Sequence, residues 1–262
     1  MSTSGGLLAA TGCLLAVLTA CSGPSKTVVG PDADPGGWVE TSVQGYLVRS
    51  DRSHVPEAAT AVLASARQVY EELFGVGDPD GLVIHLVQDP KNPDYRSDFF
   101  DPETLEIWLR WWEDDVPFSE WLLSHELAHA YQFAARPSAY REEPSWIHEG
   151  WAEHAVAALL AAEDPEAARR FLRRQGQSFL RRSVDFDRAF HDVYSFPWRR
   201  TYPACHLAVH LLVQRQGEAA VMEYFTVHGQ APEATFERFF GAPVAAFGGP
   251  IRELAEQLAE AD

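Results

Sequence analysis

Cysteine and positive charge are both scarce in this chain of 262 residues. The three cysteines are Cys13 and Cys21, within and at the end of an N-terminal apolar run, and Cys205, alone in a helical pattern. The folded part therefore has no disulfide framework available, and we expect Cys205 to be a small buried apolar residue. Lys and Arg number 21 against 38 Asp and Glu, a formal net charge of −17, which argues against nucleic acid as a partner.

Internal repeats and low-complexity tracts are also missing. Hydrophobic residues make up 46% and aromatic residues 12% of the chain, far more than a disordered chain of this net charge would carry. The length suffices for one globular domain with a substantial core. Arginine pairs recur at 169–170, 173–174 and 181–182 in one helical segment, which predicts a solvated, salt-bridged helix face.

The longest N-terminal apolar run, residues 7–18, has about a dozen residues. Such a run is too short to span a bilayer and has the size of a signal-peptide core. Its end, Leu18-Thr19-Ala20-Cys21-Ser22, resembles the lipobox of bacterial lipoproteins. The resemblance implies cleavage before Cys21 and a lipid on its side chain. Residues 1–6 depart from the usual leader because they contain no Lys or Arg.

These features divide the chain into a lipoprotein signal peptide at 1–20, a flexible tether at 21–37 and one domain at 38–262. The tether is rich in Gly, Ser, Pro and Asp. A lipid on Cys21 would hold the acidic domain at the outer surface of a membrane without a spanning helix. The alternative for the first twenty residues is a plain N-terminal core helix.

Hydrophobic periodicity in the domain predicts an α+β fold, with a small N-terminal layer of strands and a helix before a mainly α-helical C-terminal portion. The expected N-terminal elements are strands at 38–48, 82–87 and 105–109, a helix at 55–74 and a loop through 95–101. The expected C-terminal helices are 119–136, 145–163, 165–182, 202–216, 217–228, 232–240 and 243–261.

The first of these C-terminal helices contains His125-Glu126-Leu127-Ala128-His129. Helix positions four apart lie on one face, one turn along the axis, so both imidazoles can reach a single ion. Glu126 projects beside that ion, where its carboxylate can take a proton from metal-activated water. The alternative is two surface histidines that flank a glutamate on an amphipathic helix.

A catalytic zinc usually has three protein ligands and one open position. The next helix supplies candidates in Trp146-Ile147-His148-Glu149-Gly150-Trp151-Ala152-Glu153-His154. Glu149 is the favoured third ligand. His148 and His154 are rivals, although His148 is rotated about 100° from Glu149 on a helix and does not easily share its target.

Taken together, His-Glu-x-x-His and, after a gap of nineteen residues, Glu-Gly-x-Ala-Glu resemble the gluzincin metallopeptidases and their peptidase-MA-like relatives. The resemblance implies a zincin-like fold, a bound Zn²⁺ and water activated by a glutamate base. Carried over motif to motif, it assigns His125, His129 and Glu149 as ligands, Glu126 as the base and Glu153 as the carboxylate that orients the first histidine.

Further expectations also follow from this resemblance. A late Tyr or His stabilises the oxyanion in these enzymes, and Tyr202 fits that position, although a buried core tyrosine is an equal alternative. Tyr194 and the histidines at 191, 206 and 210 compete for the same role. Gly150 would let its helix pack close to the motif helix.

The strand at 105–109 would be the edge strand that pairs with an extended peptide. The tryptophans at 108, 111 and 112 beside it are expected in the core rather than in a substrate subsite.

The sequence therefore predicts zinc-dependent peptide-bond hydrolysis at the cell surface, with a peptide or protein as substrate. The alternative is a non-catalytic, zinc-stabilised surface module that binds peptide or cell-wall material.

Overall fold

The computed structural model describes residues 38–89, 91–92, 94–95, 97–137, 145–183, 185–195, 197–224 and 232–261. The predicted signal peptide at 1–20, the lipidation site Cys21 and the tether at 21–37 lie outside these residues. Among the helices described, none combines the length and the apolar character that crossing a membrane requires.

The N-terminal part forms a twisted sheet whose described strands are ordered β1-β2-β3-β5-β4. The strands are β1 (Val39–Val43), β2 (Tyr46–Ser50), β3 (Val83–Val87), β4 (Phe99–Asp101) and β5 (Glu106–Arg110). The β2-β3 and β3-β5 pairs are parallel, and β1-β2 and β4-β5 are antiparallel. The single strand predicted at 38–48 is instead a hairpin, because Gln44 and Gly45 form its tight turn with φ of 53° and 96°.

The edge of the sheet near the helical part is β4, within a segment predicted as a loop. The prediction that the strand at 105–109 is an edge strand is wrong, because β5 lies between β3 and β4. Phe99 and Phe100 pair with Trp108 and Ile107, so the chain reverses on itself and adds one more strand outside β5. A strand of three residues is too short to be recognised by its alternation pattern.

The helices are α1 (Glu57–Phe74), α2 (Val116–Ala135), α3 (Ser145–Glu163), α4 (Pro165–Arg182), α5 (Phe186–His191), α6 (Trp198–Gln216), α7 (Glu218–Tyr224), α8 (Pro232–Phe240) and α9 (Gly248–Glu260). A 3₁₀ turn, Val244–Phe247, precedes α9. The predicted α+β arrangement, with a small N-terminal layer and a mainly helical remainder, is confirmed. The helices differ from the predictions in several places: α5 has no counterpart, α6 begins at Trp198 rather than at Tyr202, and α2 begins at Val116 rather than at 119. The helix predicted at 243–261 is instead a 3₁₀ turn followed by α9.

Helix α2 is the central element, since its residues from Leu122 to Gln132 are all buried. Asp78 ties it to the sheet: its Oδ1 accepts hydrogen bonds from Tyr131 Oη at 2.6 Å and Tyr46 Oη at 2.8 Å. Tyr70 of α1 donates its hydroxyl to the carbonyl of Ser124 at 3.0 Å. A helix fixed on several sides is a rigid platform for the side chains it carries.

Gly150 allows a close approach between α3 and α6. A Cβ atom at this position would lie 2.5 Å from the carbonyl oxygen of Cys205 and 2.7 Å from Cγ2 of Val209. The glycine therefore packs α3 against α6, and the prediction that it packs against the motif helix is wrong. The reason is helical rotation: Gly150 points about 100° away from Glu149, which faces α2. Cys205 is fully buried, as predicted.

The arginine-rich face of α4 is exposed and carries ion pairs, as predicted. Arg169 pairs with Glu166, and Arg170 lies 3.2 Å from Asp164, whose side chain caps the helix. Exposed ion pairs of this kind contribute little to stability.

Candidate metal centre

Three donor atoms from α2 and α3 converge in the interior. His125 Nε2 lies 3.1 Å from His129 Nε2 and 3.2 Å from Glu149 Oε2. His129 Nε2 lies 3.6 Å from the same carboxylate oxygen. All three side chains are buried. The structure thus brings together the three residues that the sequence motifs singled out as ligands.

The spacing of these atoms fits a tetrahedral metal ion. Zinc holds nitrogen and oxygen ligands at about 2.0–2.2 Å, which places neighbouring ligand atoms about 3.3 Å apart. The observed separations of 3.1, 3.2 and 3.6 Å agree with that value. Two imidazoles and a carboxylate are also donors that zinc accepts. The group could therefore bind a metal ion.

The other ring nitrogen of His125, Nδ1, faces away from the three converging donor atoms and has a carboxylate neighbour. His125 Nδ1 lies 3.2 Å from Glu153 Oε1, one turn of α3 beyond Glu149. Glu153 is held in turn by Gln175, which donates to its other oxygen at 2.9 Å, and by the indole of Trp121 at 3.4 Å. A proton on Nδ1 then leaves the Nε2 lone pair of His125 directed at the proposed ion.

His129 is oriented by a residue that the sequence reading did not include. Its Nδ1 donates to the amide oxygen of Gln132 at 3.0 Å, and His148 Nδ1 lies 3.2 Å from the same oxygen. The amide nitrogen of Gln132 donates to the carbonyl of His148 at 3.0 Å, which fixes the amide in place. His148 therefore supports the site through Gln132 and is not one of the converging donors. The available signal was the i, i+3 spacing of Gln132 from His129.

Glu126 is buried and faces the cavity beside His129. Burial raises the pKa of Glu126 above its usual range. His129, His125 and a hydrogen bond with the backbone of Phe100 in β4 act in the opposite direction. A carboxylate with a raised pKa is a stronger proton acceptor, as a general base at neutral pH requires.

The pKa values of the buried residues His125 and Glu149 are shifted in opposite directions. Burial alone would raise the pKa of Glu149, but the contacts with His125 and His129 lower it well below its usual range. Burial alone would lower the pKa of His125, whereas Glu149 and Glu153 raise it. Glu149 is therefore held as a carboxylate, the form in which it can ligate a cation.

A cavity of about 390 Å³ opens onto the converging donors. Its walls include Asp98 and the first two residues of edge strand β4, together with Glu126, His129 and Glu149. Tyr194 and Tyr202 line another part of the cavity. The described cavity therefore gives small molecules or an extended chain access to the site.

Both tyrosines contact Glu149, and Tyr202 also contacts His125. Tyr194 donates its hydroxyl to Glu149 Oε1 at 2.8 Å, which leaves Oε2 of that carboxylate facing the histidines. The ring of Tyr202 stacks on His125 with centroids 5.5 Å apart and an angle of 9° between the planes. Burial, and then the charge of Glu149, raises the pKa of Tyr202, so its hydroxyl remains a hydrogen-bond donor at neutral pH.

The other sequence candidates lie elsewhere. His191 is exposed and lies 3.2 Å from Glu233, and His206 and His210 form a separate cluster with His154. Trp111 is buried in the core and Trp112 packs against it, as predicted. Trp108 is half-buried and stacks on His85 outside that core cluster, so the prediction is wrong for this residue. A larger cleft, about 610 Å³, is lined by Trp121, Glu153 and Tyr202 but by none of the three converging donors.

No protein-family model and no curated protein matches this sequence. Among solved structures, the crystal structure of an aminopeptidase N family protein from Idiomarina loihiensis is similar, with a TM-score of 0.51 and 14% sequence identity. The match covers 83% of this chain and 46% of that protein, so this chain spans less than half of the neighbour's length. At this level of identity the similarity shows a common fold.

Proposed function

We propose that this chain is a zinc-dependent peptidase of the gluzincin type. The observation that carries the proposal is the convergence of His125, His129 and Glu149, with Glu126 beside them in an open cavity. Two further observations support it. The outward ring nitrogens of both histidines have acceptors that direct them, and the fold is similar to that of an aminopeptidase N family protein.

The three converging donors would hold the ion. When bound, zinc supplies a Lewis acid that makes water nucleophilic near neutral pH. Glu126 accepts the proton of the attacking water and then delivers it to the leaving amine. Its burial beside His129 and its contact with the backbone of Phe100 keep the carboxylate in position for both transfers.

Tyr202 would stabilise the oxyanion that forms during hydrolysis. Its hydroxyl stays protonated at neutral pH and its ring is fixed against His125, so it is a preorganised donor. Tyr194 is assigned a positioning role, because its hydroxyl is bonded to the Glu149 oxygen that points away from the histidines.

Edge strand β4 would bind the substrate backbone. Residues 98–100 line the cavity, and the strand has a partner on one side only, β5, among the described strands. An extended peptide added to that edge would pair through main-chain hydrogen bonds without a requirement for a particular sequence. The proposed substrate is therefore a peptide or an extended protein segment, and not nucleic acid.

The location follows from the N-terminal motif. We assign Cys21 as the lipid attachment site that holds the domain outside the cytoplasm at a membrane surface. The test is to express the full chain and the Cys21→Ser variant in bacteria fed with a labelled fatty acid. We expect the label and the membrane association of the chain to be lost together in the variant. Equal labelling of both chains would contradict this assignment.

The experiment that tests the activity compares the Glu126→Gln variant with the unchanged chain. Both proteins are loaded with zinc, their metal content is measured by mass spectrometry, and cleavage of a peptide library is followed. We expect the variant to keep its zinc and to hydrolyse about 10²- to 10⁴-fold more slowly, because the base is lost. The matched control is Glu120→Gln, on the same helix outside the cavity, which should retain the full rate.

Two results would contradict the proposal. Cleavage at an unchanged rate by Glu126→Gln would remove the assigned base. A zinc-loaded chain that cleaves no peptide of the library would favour the non-catalytic surface module.

A further inference from the structure

A second group of histidines lies between α3 and α6. His154 comes from α3, whereas His206 and His210 come from successive turns on one face of α6. One ring nitrogen from each of the three lies within 4.8 Å of the other two. His206 is fully buried and His154 is 8% exposed, so this cluster belongs to the interior.

Most nitrogens of this cluster lack a hydrogen-bond partner among the described residues. Both ring nitrogens of His154, both of His206 and Nδ1 of His210 are buried without one. His210 Nε2 contacts the side-chain amide of Gln214 at 3.1 Å. Buried polar atoms in folded proteins are nearly always paired, and five unpaired nitrogens in one place require an explanation.

The electrostatic state of the cluster agrees with ligand chemistry. Burial, and then the neighbouring imidazoles, lowers the pKa of His206 well below its usual range. Burial and His154 lower the pKa of His210 to about 4. The lowered pKa values favour the neutral form of His206 and His210, which is the form of imidazole that binds a cation.

We propose that His154, His206 and His210 form a second metal site, with Zn²⁺ as the preferred ion. We assign Glu218, in the first turn of α7, as the fourth ligand because its Oε1 lies 3.6 Å from His154 Nε2. Its carboxylate is outside the group of three nitrogens that lie within 4.8 Å of one another and would turn toward them when the ion binds. Three imidazoles and one carboxylate make a tetrahedral set that suits zinc among the divalent metals.

The second site has a structural role. Four protein ligands close the coordination sphere and leave no position for water or substrate. Neither of the two cavities described above is lined by these histidines. The ion would join α3, α6 and α7 and stabilise the folded chain in proportion to its occupancy.

The test counts zinc in four forms of the folded chain. The unchanged chain, Glu149→Ala, His210→Ala and the double variant are stripped with a chelator and reloaded with zinc alone. We expect two zinc ions per chain in the first, one in each single variant and none in the double variant. Zinc should also raise the melting temperature of Glu149→Ala but not that of the double variant.

Two controls separate loss of metal from loss of structure. His191→Ala removes an exposed histidine outside both clusters and should leave two zinc ions. If far-UV circular dichroism shows that His210→Ala does not fold, the exposed Glu218→Gln replaces it, and its second zinc should bind at least about tenfold more weakly.

The proposal is overturned if Glu149→Ala retains no zinc after reloading, or if Glu218→Gln and the unchanged chain hold the second zinc equally well. Because the readout is zinc content and thermal stability, failure here is distinguishable from failure of the proposed peptidase activity.

Discussion

The two histidine clusters repeat one geometric arrangement with different surroundings. In each, one helix supplies a pair of histidines four residues apart and α3 supplies a single further donor. The residue after the first histidine is Glu126 in α2 and Leu207 in α6, so the proposed base has an apolar counterpart in the second cluster. The spacing of the histidines is what a metal needs, whereas the residue between them determines whether water can be deprotonated.

The two clusters also differ in their hydrogen-bond partners and in their access to a cavity. Glu153 and Gln132 direct the outward nitrogens of the first cluster, which opens onto a cavity of about 390 Å³. In the second cluster both ring nitrogens of His206 are buried without a hydrogen-bond partner among the described residues, and His154 Nε2 lies 3.6 Å from Glu218. Neither described cavity is lined by these histidines. An oriented, accessible cluster is suited to catalysis, and a closed one to holding helices together.

The largest effect is expected from removing one proposed ligand of the first cluster while the second cluster is left unchanged. Glu149→Ala should lose zinc from the first cluster, and hydrolysis should become undetectable, because two histidines alone hold the ion poorly. Zinc content and peptide cleavage are measured together. Glu163→Ala, an exposed carboxylate at the end of the same helix, should behave as the unchanged chain. Hydrolysis that continues after this zinc is lost would contradict the assignment of catalysis to the first cluster.

The next prediction tests whether the catalytic step takes place at the first cluster. Tyr202→Phe should lower kcat by about 10²- to 10³-fold, the usual cost of losing one oxyanion donor, while zinc content stays the same. Tyr194→Phe should act mainly through the affinity for zinc, since this hydroxyl contacts Glu149. The reverse outcome, a kcat loss confined to Tyr194→Phe, would exchange the two roles.

A smaller effect tests the orientation of the ligands. Gln132→Ala should weaken zinc binding at the first cluster by about 10- to 100-fold, because His129 loses the acceptor that fixes its ring. Competition with a chelator of known affinity measures the change. The matched change, Gln214→Ala, removes an exposed amide beside His210 and should leave the first cluster unaffected. Equal affinity in Gln132→Ala and the unchanged chain would contradict this role.

The smallest expected effect concerns the packing that both clusters share. Gly150→Ala should reduce the free energy of unfolding by about 1–3 kcal/mol, because the added Cβ would meet the Cys205 carbonyl at 2.5 Å. Urea denaturation gives the value. Gly77→Ala is the control, since a Cβ there meets nothing within 4 Å. A Gly150→Ala variant as stable as the Gly77→Ala control would show that α3 and α6 can separate without cost.

The sequence predicts the features that depend on local periodicity. The spacing of His125 and His129 on one helix face follows from the helix repeat, and so does the exposure of the α4 arginines. The motif on the next helix supplies Glu149, and its burial beside the histidines is compatible with the resemblance on which that expectation rests.

Features that depend on the pairing of distant segments were not predictable in this way. Strand β4 is defined by its partner β5, and three residues carry too little alternation to reveal it. Gly150 was expected to face α2, because sequence alone does not say which neighbouring helix a glycine meets. His154 appeared as a rival ligand for the first site, since its partners on α6 lie about fifty residues away in the sequence.

One helix, α3, carries both Glu149 and His154, which are separated by five residues and about 7.5 Å along the axis. A helix behaves as a nearly rigid rod over that distance, so a shift that adjusts one donor moves the other. Thermodynamic linkage then makes the effect reciprocal. If an ion in the second cluster changes the zinc affinity of the first by some factor, an ion in the first changes the affinity of the second by the same factor. On the two proposals above, zinc in the second cluster would change the zinc affinity of the first wherever its binding shifts α3.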